Sequence, residues 1–139
     1  MPIWGLLLLA SSLTGLEREV LDQVNAHRRA AGLAELVWNE QAAAEARTHC
    51  GRVLAGKAAG PHDGFPQRAG RLRRAARATR AGENVFLMEN GAFRADRALA
   101  SWLGSEGHRQ AIEGPFDQTG VGVVTRGNRA CAAQIFLGR

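Results

Sequence analysis

The sequence predicts an α+β fold in which helices form first along the chain and pack on an antiparallel sheet. Apolar residues recur at helical spacing in several segments before Ile112. Two strand-like runs then close the chain, at residues 119–126 and 129–136, and Gly127-Asn128 between them is typical of a two-residue hairpin turn. Helices followed by a terminal hairpin indicate helices packed on a sheet rather than alternating βαβ units.

Length and composition predict one globular domain. The chain has 139 residues, enough to bury about two thirds of its unfolded surface in a single core. Hydrophobic residues at 45% and charged residues at 22% are ordinary globular values, which excludes a disordered chain.

The first two helices have clear boundaries. Thr14 and Glu17 form a capping box that predicts a helix start, and Gly32 is a natural stop. Leu36 and Trp38 are expected to anchor the following link in the core. Asn39 then predicts the start of a second helix, which carries Cys50 and ends near Gly56.

The middle of the chain is rich in Gly, Ala and Arg. No strand pattern is visible between Gly56 and Gly82, although residues 67–80 favour a basic helical segment. Residues 85–88 are a strand candidate. A third helix is predicted around Ala95 to Leu103, and one more helical turn at residues 109–112.

Export is predicted from residues 1–12, which combine a short apolar core with small residues before a cleavage point. This run is too short to span a bilayer, and it lacks the usual basic residue at its start. The alternative is an apolar segment packed on a domain of residues 13–139. Cys50 and Cys131 are compatible with one disulfide or with two buried thiols, and the sequence leaves both open.

Two histidine-bearing loops flank a carboxylate. His62 lies in a Pro-His-Asp-Gly turn, Glu83 lies between a Gly and an Asn, and His108 follows Ser-Glu-Gly. The Gly before Glu83 is expected to allow a sharp turn, and Asn84 to bond a neighbouring loop. Two imidazoles and one carboxylate suit an open zinc site with water as a further ligand. The alternative is a capping Glu and two ordinary histidines.

The ordered motifs of the chain resemble the SCP domain of the CAP superfamily (cysteine-rich secretory proteins, antigen 5, pathogenesis-related 1), in its short bacterial form. The matching pieces cover about residues 16–136 and include Asn25-Ala-His-Arg, His62-Asp-Gly-Phe, Arg68, Gly82-Glu-Asn-Val, Trp102, Ser105-Glu-Gly-His-Arg and Gly120-Val-Gly-Val. The resemblance implies a three-layer α-β-α sandwich and an extracytoplasmic or secreted protein. It also implies a cleft in which His62, Glu83 and His108 meet and hold zinc or another divalent metal. The fourth, acidic ligand of longer relatives has no counterpart here.

Three functions compete. Because the superfamily has no generally agreed catalytic activity, the resemblance favours a binding module for a metal, a small ligand or a lipid over an enzyme. A metal-dependent hydrolase using the same cleft is the second hypothesis. The third is a module that binds anionic envelope polymers through the six arginines between Arg68 and Arg80. A nucleic-acid platform is disfavoured, since aromatic residues make up 6% of the chain and Tyr is absent.

Overall fold

The structure is a computed structural model that describes residues 13–139, so the predicted signal peptide at residues 1–12 lies outside the described residues. Five helices are present within that range. They are α1 (Gly15–Ala30), α2 (Glu40–Leu54), α3 (Phe65–Ala76), α4 (Ala95–Leu103) and α5 (Glu106–Ile112). Among the helices of residues 13–139, none is both long enough and apolar enough to cross a membrane.

The predicted caps of the first two helices are confirmed. The Thr14 side chain accepts a hydrogen bond from the Glu17 backbone N–H, and the Glu17 carboxylate accepts one from the Thr14 N–H. The Asn39 side chain accepts from the Ala42 N–H at the start of α2. These bonds satisfy backbone donors that have no partner inside a helix, which fixes both starting points.

One four-stranded sheet forms the middle layer. Its strands are β1 (Val37–Trp38), β2 (Arg80–Glu89), β3 (Gln118–Arg126) and β4 (Arg129–Gly138), in the spatial order β1-β3-β4-β2. The three long strands are antiparallel as predicted. The two-residue β1 runs parallel to β3, so the sheet is mixed rather than wholly antiparallel. The Asn39 N–H, which donates to the Thr119 carbonyl at 2.8 Å, extends this pairing up to the residue that caps α2.

Helices cover both faces of the sheet, which confirms the three-layer α-β-α sandwich. On one face, called here the small-residue face, α2 and α3 pack on alternate residues of β2, β3 and β4. The opposite face, called the large-residue face, is covered by α1, α4 and α5. Side chains of successive strand residues point to opposite faces, so each strand contributes to both cores.

The small-residue face brings α2 into backbone contact with β3. A Cβ atom placed on Gly120 would lie 2.1 Å from the Ala43 nitrogen, and one on Gly122 would lie 2.4 Å from the Arg47 nitrogen. A disulfide between Cys50 and Cys131, with Cα atoms 5.4 Å apart, ties α2 to β4 on the same face. The sequence left open whether Cys50 and Cys131 form a disulfide or stay as two buried thiols, and in the structure they form a disulfide.

Large apolar side chains fill the other face. Trp102, Ile112 and Phe136 are all completely buried there, and the Trp102 indole N–H donates to the Val85 carbonyl at 3.2 Å. Leu36 is buried as predicted, and Trp38 is partly buried against the same core.

A buried arginine fastens α1 to the segment after α5. Arg28 donates to the carbonyl oxygens of Ile112, Gly114 and Phe116 at 2.8, 2.9 and 3.2 Å. Burial lowers the pKa of Arg28. Beside it, His27 lies 2.7 Å from the carboxylate of Glu113, and this contact also links α1 to the end of α5.

Candidate functional site

Glu83 lies inside β2, with a side chain that is only 1% exposed. The turn predicted at Gly82 is wrong, because Gly82 is an interior residue of the strand. A Cβ atom on Gly82 would lie 3.2 Å from the Phe116 ring, so the absence of a side chain there accommodates a neighbouring ring rather than a bend.

Arg68, on the first turns of α3, holds both oxygens of Glu83. Its Nε donates to Glu83 Oε2 at 3.0 Å and its Nη2 donates to Oε1 at 2.9 Å. A third bond, from Nη1 to the Asp63 carbonyl at 2.7 Å, fixes the guanidinium to the loop before α3. A bidentate pair of this kind is geometrically specific, and its burial makes removal of either partner costly.

His62 completes a three-residue cluster with Glu83 and Arg68. Its Nδ1 lies 3.0 Å from Glu83 Oε1, while the side chain is 47% exposed. An imidazole that donates from Nδ1 to a carboxylate keeps Nε2 as the acceptor. Glu83 therefore orients His62, and the nitrogen left for a ligand is Nε2.

His108 approaches β2 from the other side of the sheet. The Asn84 side-chain amide donates to the His108 carbonyl at 2.9 Å, which confirms the predicted bond between Asn84 and a neighbouring segment. Glu83 points toward α3 on the small-residue face, and Asn84, as the next strand residue, points toward α5. The hydrogen bonds and ion pairs of residues 13–139 connect Glu83 with His62 and Arg68 but not with His108.

The described donor set does not suit a divalent metal at Glu83. Both carboxylate oxygens already accept bonds from a guanidinium whose positive charge opposes a second cation nearby. Within residues 13–139, no group of three or more His, Cys, Asp or Glu side chains is placed to hold a metal ion. The metal site at His62, Glu83 and His108 stays a prediction of the sequence.

A groove runs between α2 and α3, next to the Glu83–Arg68 pair. Its apolar part, about 340 Å³ in volume, is lined by Ala44, Leu72, Ala75 and the stems of neighbouring polar residues. A polar part of about 240 Å³ continues from it and includes His49, Arg52, Asp63 and Arg68. Thr48, Glu45 and Arg71 border both parts, so the two cavities adjoin each other along α2 and α3, and this pair of cavities is called the groove here.

Of the arginine side chains that line the groove, some are paired with carboxylates of the described residues and one is not. Arg71 pairs with Glu45 through two bonds of 3.0 and 2.7 Å, and this pairing raises the pKa of Arg71. Arg52 instead donates to the Lys57 carbonyl at 3.0 Å, so its charge has no carboxylate partner among the described residues. His49 is buried, and its Nε2 lies 2.5 Å from the Pro61 carbonyl.

Sequence reasoning missed the roles of Arg68 and Arg52. Arg68 belonged to the matched motifs, but nothing in its spacing indicates that it faces Glu83 across a helix–strand contact. A buried carboxylate requires a cationic or hydrogen-bonding partner. This rule was the one indication in the sequence that an arginine near His62 would pair with Glu83.

Comparison with known proteins agrees with this fold. The model of the cysteine-rich secretory protein family, CAP, matches residues 21–136. The chain therefore belongs to the CAP family. Among curated protein sequences, none matches.

Solved structures with the same fold come from several bacteria. An extracellular SCP-domain protein of Bacillus anthracis is 27% identical, with a TM-score of 0.73 over 90% of this chain and 41% of that one. A cysteine-rich secretory protein of Staphylococcus aureus is 19% identical, with a TM-score of 0.69 over 89% and 39% of the two chains. An outer surface protein of Borrelia burgdorferi is 16% identical, with a TM-score of 0.74 over 88% and 91%. The chain spans about two fifths of the first two proteins.

Proposed function

We propose that this chain is an exported CAP-domain binding module that takes up a small lipid-like ligand in the groove between α2 and α3. The observation that carries the proposal is the groove itself, which joins an apolar part to an arginine-bearing part. Export is supported by the names of the B. anthracis and B. burgdorferi proteins, an extracellular and an outer surface protein. The Cys50–Cys131 disulfide also supports it, because disulfides persist mainly in oxidising compartments.

The dimensions of the groove favour a small ligand. Its apolar part, about 340 Å³, lies at the lower end of the range of about 300–1,000 Å³ typical of small-molecule sites. Exposed Ala44 and Ala75 leave space above the buried Leu72 side chain. This surface gives an alkyl chain an apolar contact, and contact with apolar surface is the main favourable term for such a ligand.

The polar part of the groove favours an anionic head group. Arg52 has no carboxylate partner among the described residues, whereas Arg68 and Arg71 are paired with Glu83 and Glu45. A carboxylate or phosphate placed there would receive a charge-assisted hydrogen bond from Arg52. Arg68 lines this part and is held in place by Glu83, so it needs no rearrangement when the ligand enters, which lowers the cost of binding.

Displacement of a fluorescent fatty acid by unlabelled ligands tests the proposal. Thr48→Trp places a large ring where the two parts meet, and we expect it to weaken fatty-acid binding at least tenfold. Thr125→Trp, at an exposed position on β3, is the matched control and should bind as the unmodified protein does. Equal affinity of the Thr48 and Thr125 variants would reject the groove as the binding site.

The role of Arg52 is tested separately with two ligands of equal chain length. Arg52→Gln should weaken the fatty acid several-fold and leave the corresponding uncharged alcohol unchanged, because only the acid uses the guanidinium charge. Loss of both ligands to the same extent would mean that Arg52 supports the shape of the groove and does not recognise the head group.

A further inference from the structure

Arginine side chains that no carboxylate neutralises cluster at the end of α3 and at the adjoining sheet edge. The set, called here the arginine patch, consists of Arg73, Arg74, Arg77, Arg80 and Arg139, all of them exposed. Arg139 lies at the same end of the sheet as the other four, because Arg80 of β2 is directly opposite Gly138 of β4. The Thr79 N–H donates to the Gly138 carbonyl at 2.8 Å, which holds the turn after α3 against the end of β4.

The patch differs from the arginines that precede it on the same helix. Arg68 and Arg71 are bound to Glu83 and Glu45. Within residues 13–139, none of the five patch arginines forms an ion pair, and Arg80 donates to the Pro115 carbonyl at 3.3 Å instead. Exposed Asp117 lies at the same end of the sheet, where its N–H donates to the Leu137 carbonyl, and its carboxylate pairs with no patch arginine.

Folding of the domain accounts for the patch only in part: Arg73 and Arg74, in the last turn of α3, suit the negative end of the helix dipole, but two features of the patch are unfavourable. Arg77 ends α3 with a φ of +54°, a left-handed conformation in which a side chain is unfavourable and glycine is the usual residue. The five exposed guanidinium groups also carry like charges at one end of the domain, where they repel one another. Both features cost stability in the free protein, and a polyanion bound to the patch would remove the repulsion.

We infer that the arginine patch binds an extended polymer of phosphate diesters. The planar guanidinium matches phosphate oxygens with two parallel hydrogen bonds, and several of them in a row suit a repeating chain of phosphates. Single-stranded nucleic acid is disfavoured, since residues 66–85 contain no aromatic side chain, and the ring of Phe116 beside Gly138 is half-buried and packs on Phe136. A membrane surface is disfavoured because the exposed large apolar residues, Leu16, Val37 and Leu87, lie outside the patch.

Binding of poly(glycerol phosphate), measured over a range of salt concentrations, tests the inference. Five phosphate contacts on a flexible chain predict a slope of log affinity against log salt of about −3.5. The triple variant Arg74→Gln, Arg77→Gln, Arg80→Gln should weaken binding at least tenfold at low salt and reduce the magnitude of the slope by about 2.

The matched control removes the same charge elsewhere. Arg18, Arg97 and Arg126 are exposed on α1, α4 and β3, and none forms an ion pair within residues 13–139. Their triple Gln variant should change affinity less than threefold. Circular dichroism and thermal unfolding of both variants establish that each is folded.

Three results would overturn the inference. The first is equal weakening in the two triple variants, which would indicate a response to net charge alone. The second is tighter binding of single-stranded DNA of equal charge, and the third is tighter binding of anionic phospholipid vesicles than of the polymer. The groove is a separate surface, so Thr48→Trp should leave polymer binding unchanged, and failure of one proposal does not decide the other.

Discussion

The two faces of the sheet hold their helices in different ways. On the small-residue face, α2 contacts the backbone of β3 at Gly120 and Gly122 and is bridged to β4 by the disulfide. On the large-residue face, α1 and α4 are separated from the sheet by Trp102, Phe136 and other large side chains. At the α2–β3 contact stability depends on the absence of side-chain volume, although Ile135 and Leu137 fill another part of that face, whereas on the second face it depends on large side chains.

This difference bears on the candidate site. Glu83, Arg68 and the groove all belong to the small-residue face, where α2 has no room to shift against β3. His108 is attached to the large-residue face through Asn84. A ligand of the groove therefore contacts one rigid layer, whereas a metal shared by His62, Glu83 and His108 would have to join two layers around the edge strand β2.

The largest expected effect comes from removing volume on the large-residue face. Trp102→Ala should lower the free energy of unfolding by about 3–5 kcal/mol, because the ring is fully buried and its N–H is bonded to Val85. Urea unfolding measures the loss. Val37→Ala, at a side chain that is 67% exposed, is the control and should change the value by less than about 0.5 kcal/mol. A loss below about 1 kcal/mol at Trp102 would contradict its assignment to the core.

Adding volume to the small-residue face should be nearly as damaging. Gly120→Ala places a methyl group 2.1 Å from the Ala43 nitrogen, so α2 must move away from β3 against the disulfide. We expect a loss of about 3 kcal/mol, at the upper end of ordinary overpacking. Gly51→Ala in the same helix meets no atom within 4 Å and should instead stabilise α2 by up to about 1 kcal/mol. Equal urea midpoints for Gly120→Ala and Gly51→Ala would contradict the close contact between α2 and β3.

Local sequence rules predicted most of the elements. The Thr14–Glu17 capping box, the Asn39 cap and the hairpin at Gly127-Asn128 are short-range patterns, and each set a boundary that the structure confirms. The parallel pairing of β1 with β3 joins residues about 80 positions apart and leaves no periodic pattern in a two-residue strand. The strand at Arg80–Glu89 was underestimated because its first half, Arg-Ala-Gly-Glu-Asn, has low strand propensity and is held by pairing with β4.

The candidate site was predicted in part for the same reason. The order of the motifs predicted that His62 and Glu83 belong to one site, and in the structure their side chains form a hydrogen bond. The partner that occupies the Glu83 carboxylate, Arg68, comes from a different element, and such pairings depend on how α3 packs on β2. A sequence read one segment at a time contains motif residues but not the contacts between segments.

A smaller effect is expected at the end of α3, on the small-residue face. Arg77→Gly should raise the free energy of unfolding by about 0.5 kcal/mol, since relief of the left-handed backbone outweighs the greater freedom of glycine in the unfolded chain. Arg73→Gly, within the last turn of the same helix, should lower it by about 1 kcal/mol. Thermal unfolding of the two variants compares the signs directly, and a destabilised Arg77 variant would contradict the strain assigned to that residue.

The smallest effect is expected from added zinc. If zinc does not stabilise the protein, the two faces do not share a metal site. With Arg68 on both oxygens of Glu83, added zinc should leave the thermal unfolding of the protein at pH 7.5 unchanged within error. The metal-site hypothesis predicts instead a gain of about 2.7 kcal/mol at a zinc concentration one hundred times the Kd. Because neutral imidazoles are the ligands, that gain should disappear below a pH of about 6.5, in His62→Ala and in His108→Ala, but persist in His27→Ala. A zinc-dependent gain with this pattern would mean that Arg68 yields Glu83 to the metal and that the site does span both layers.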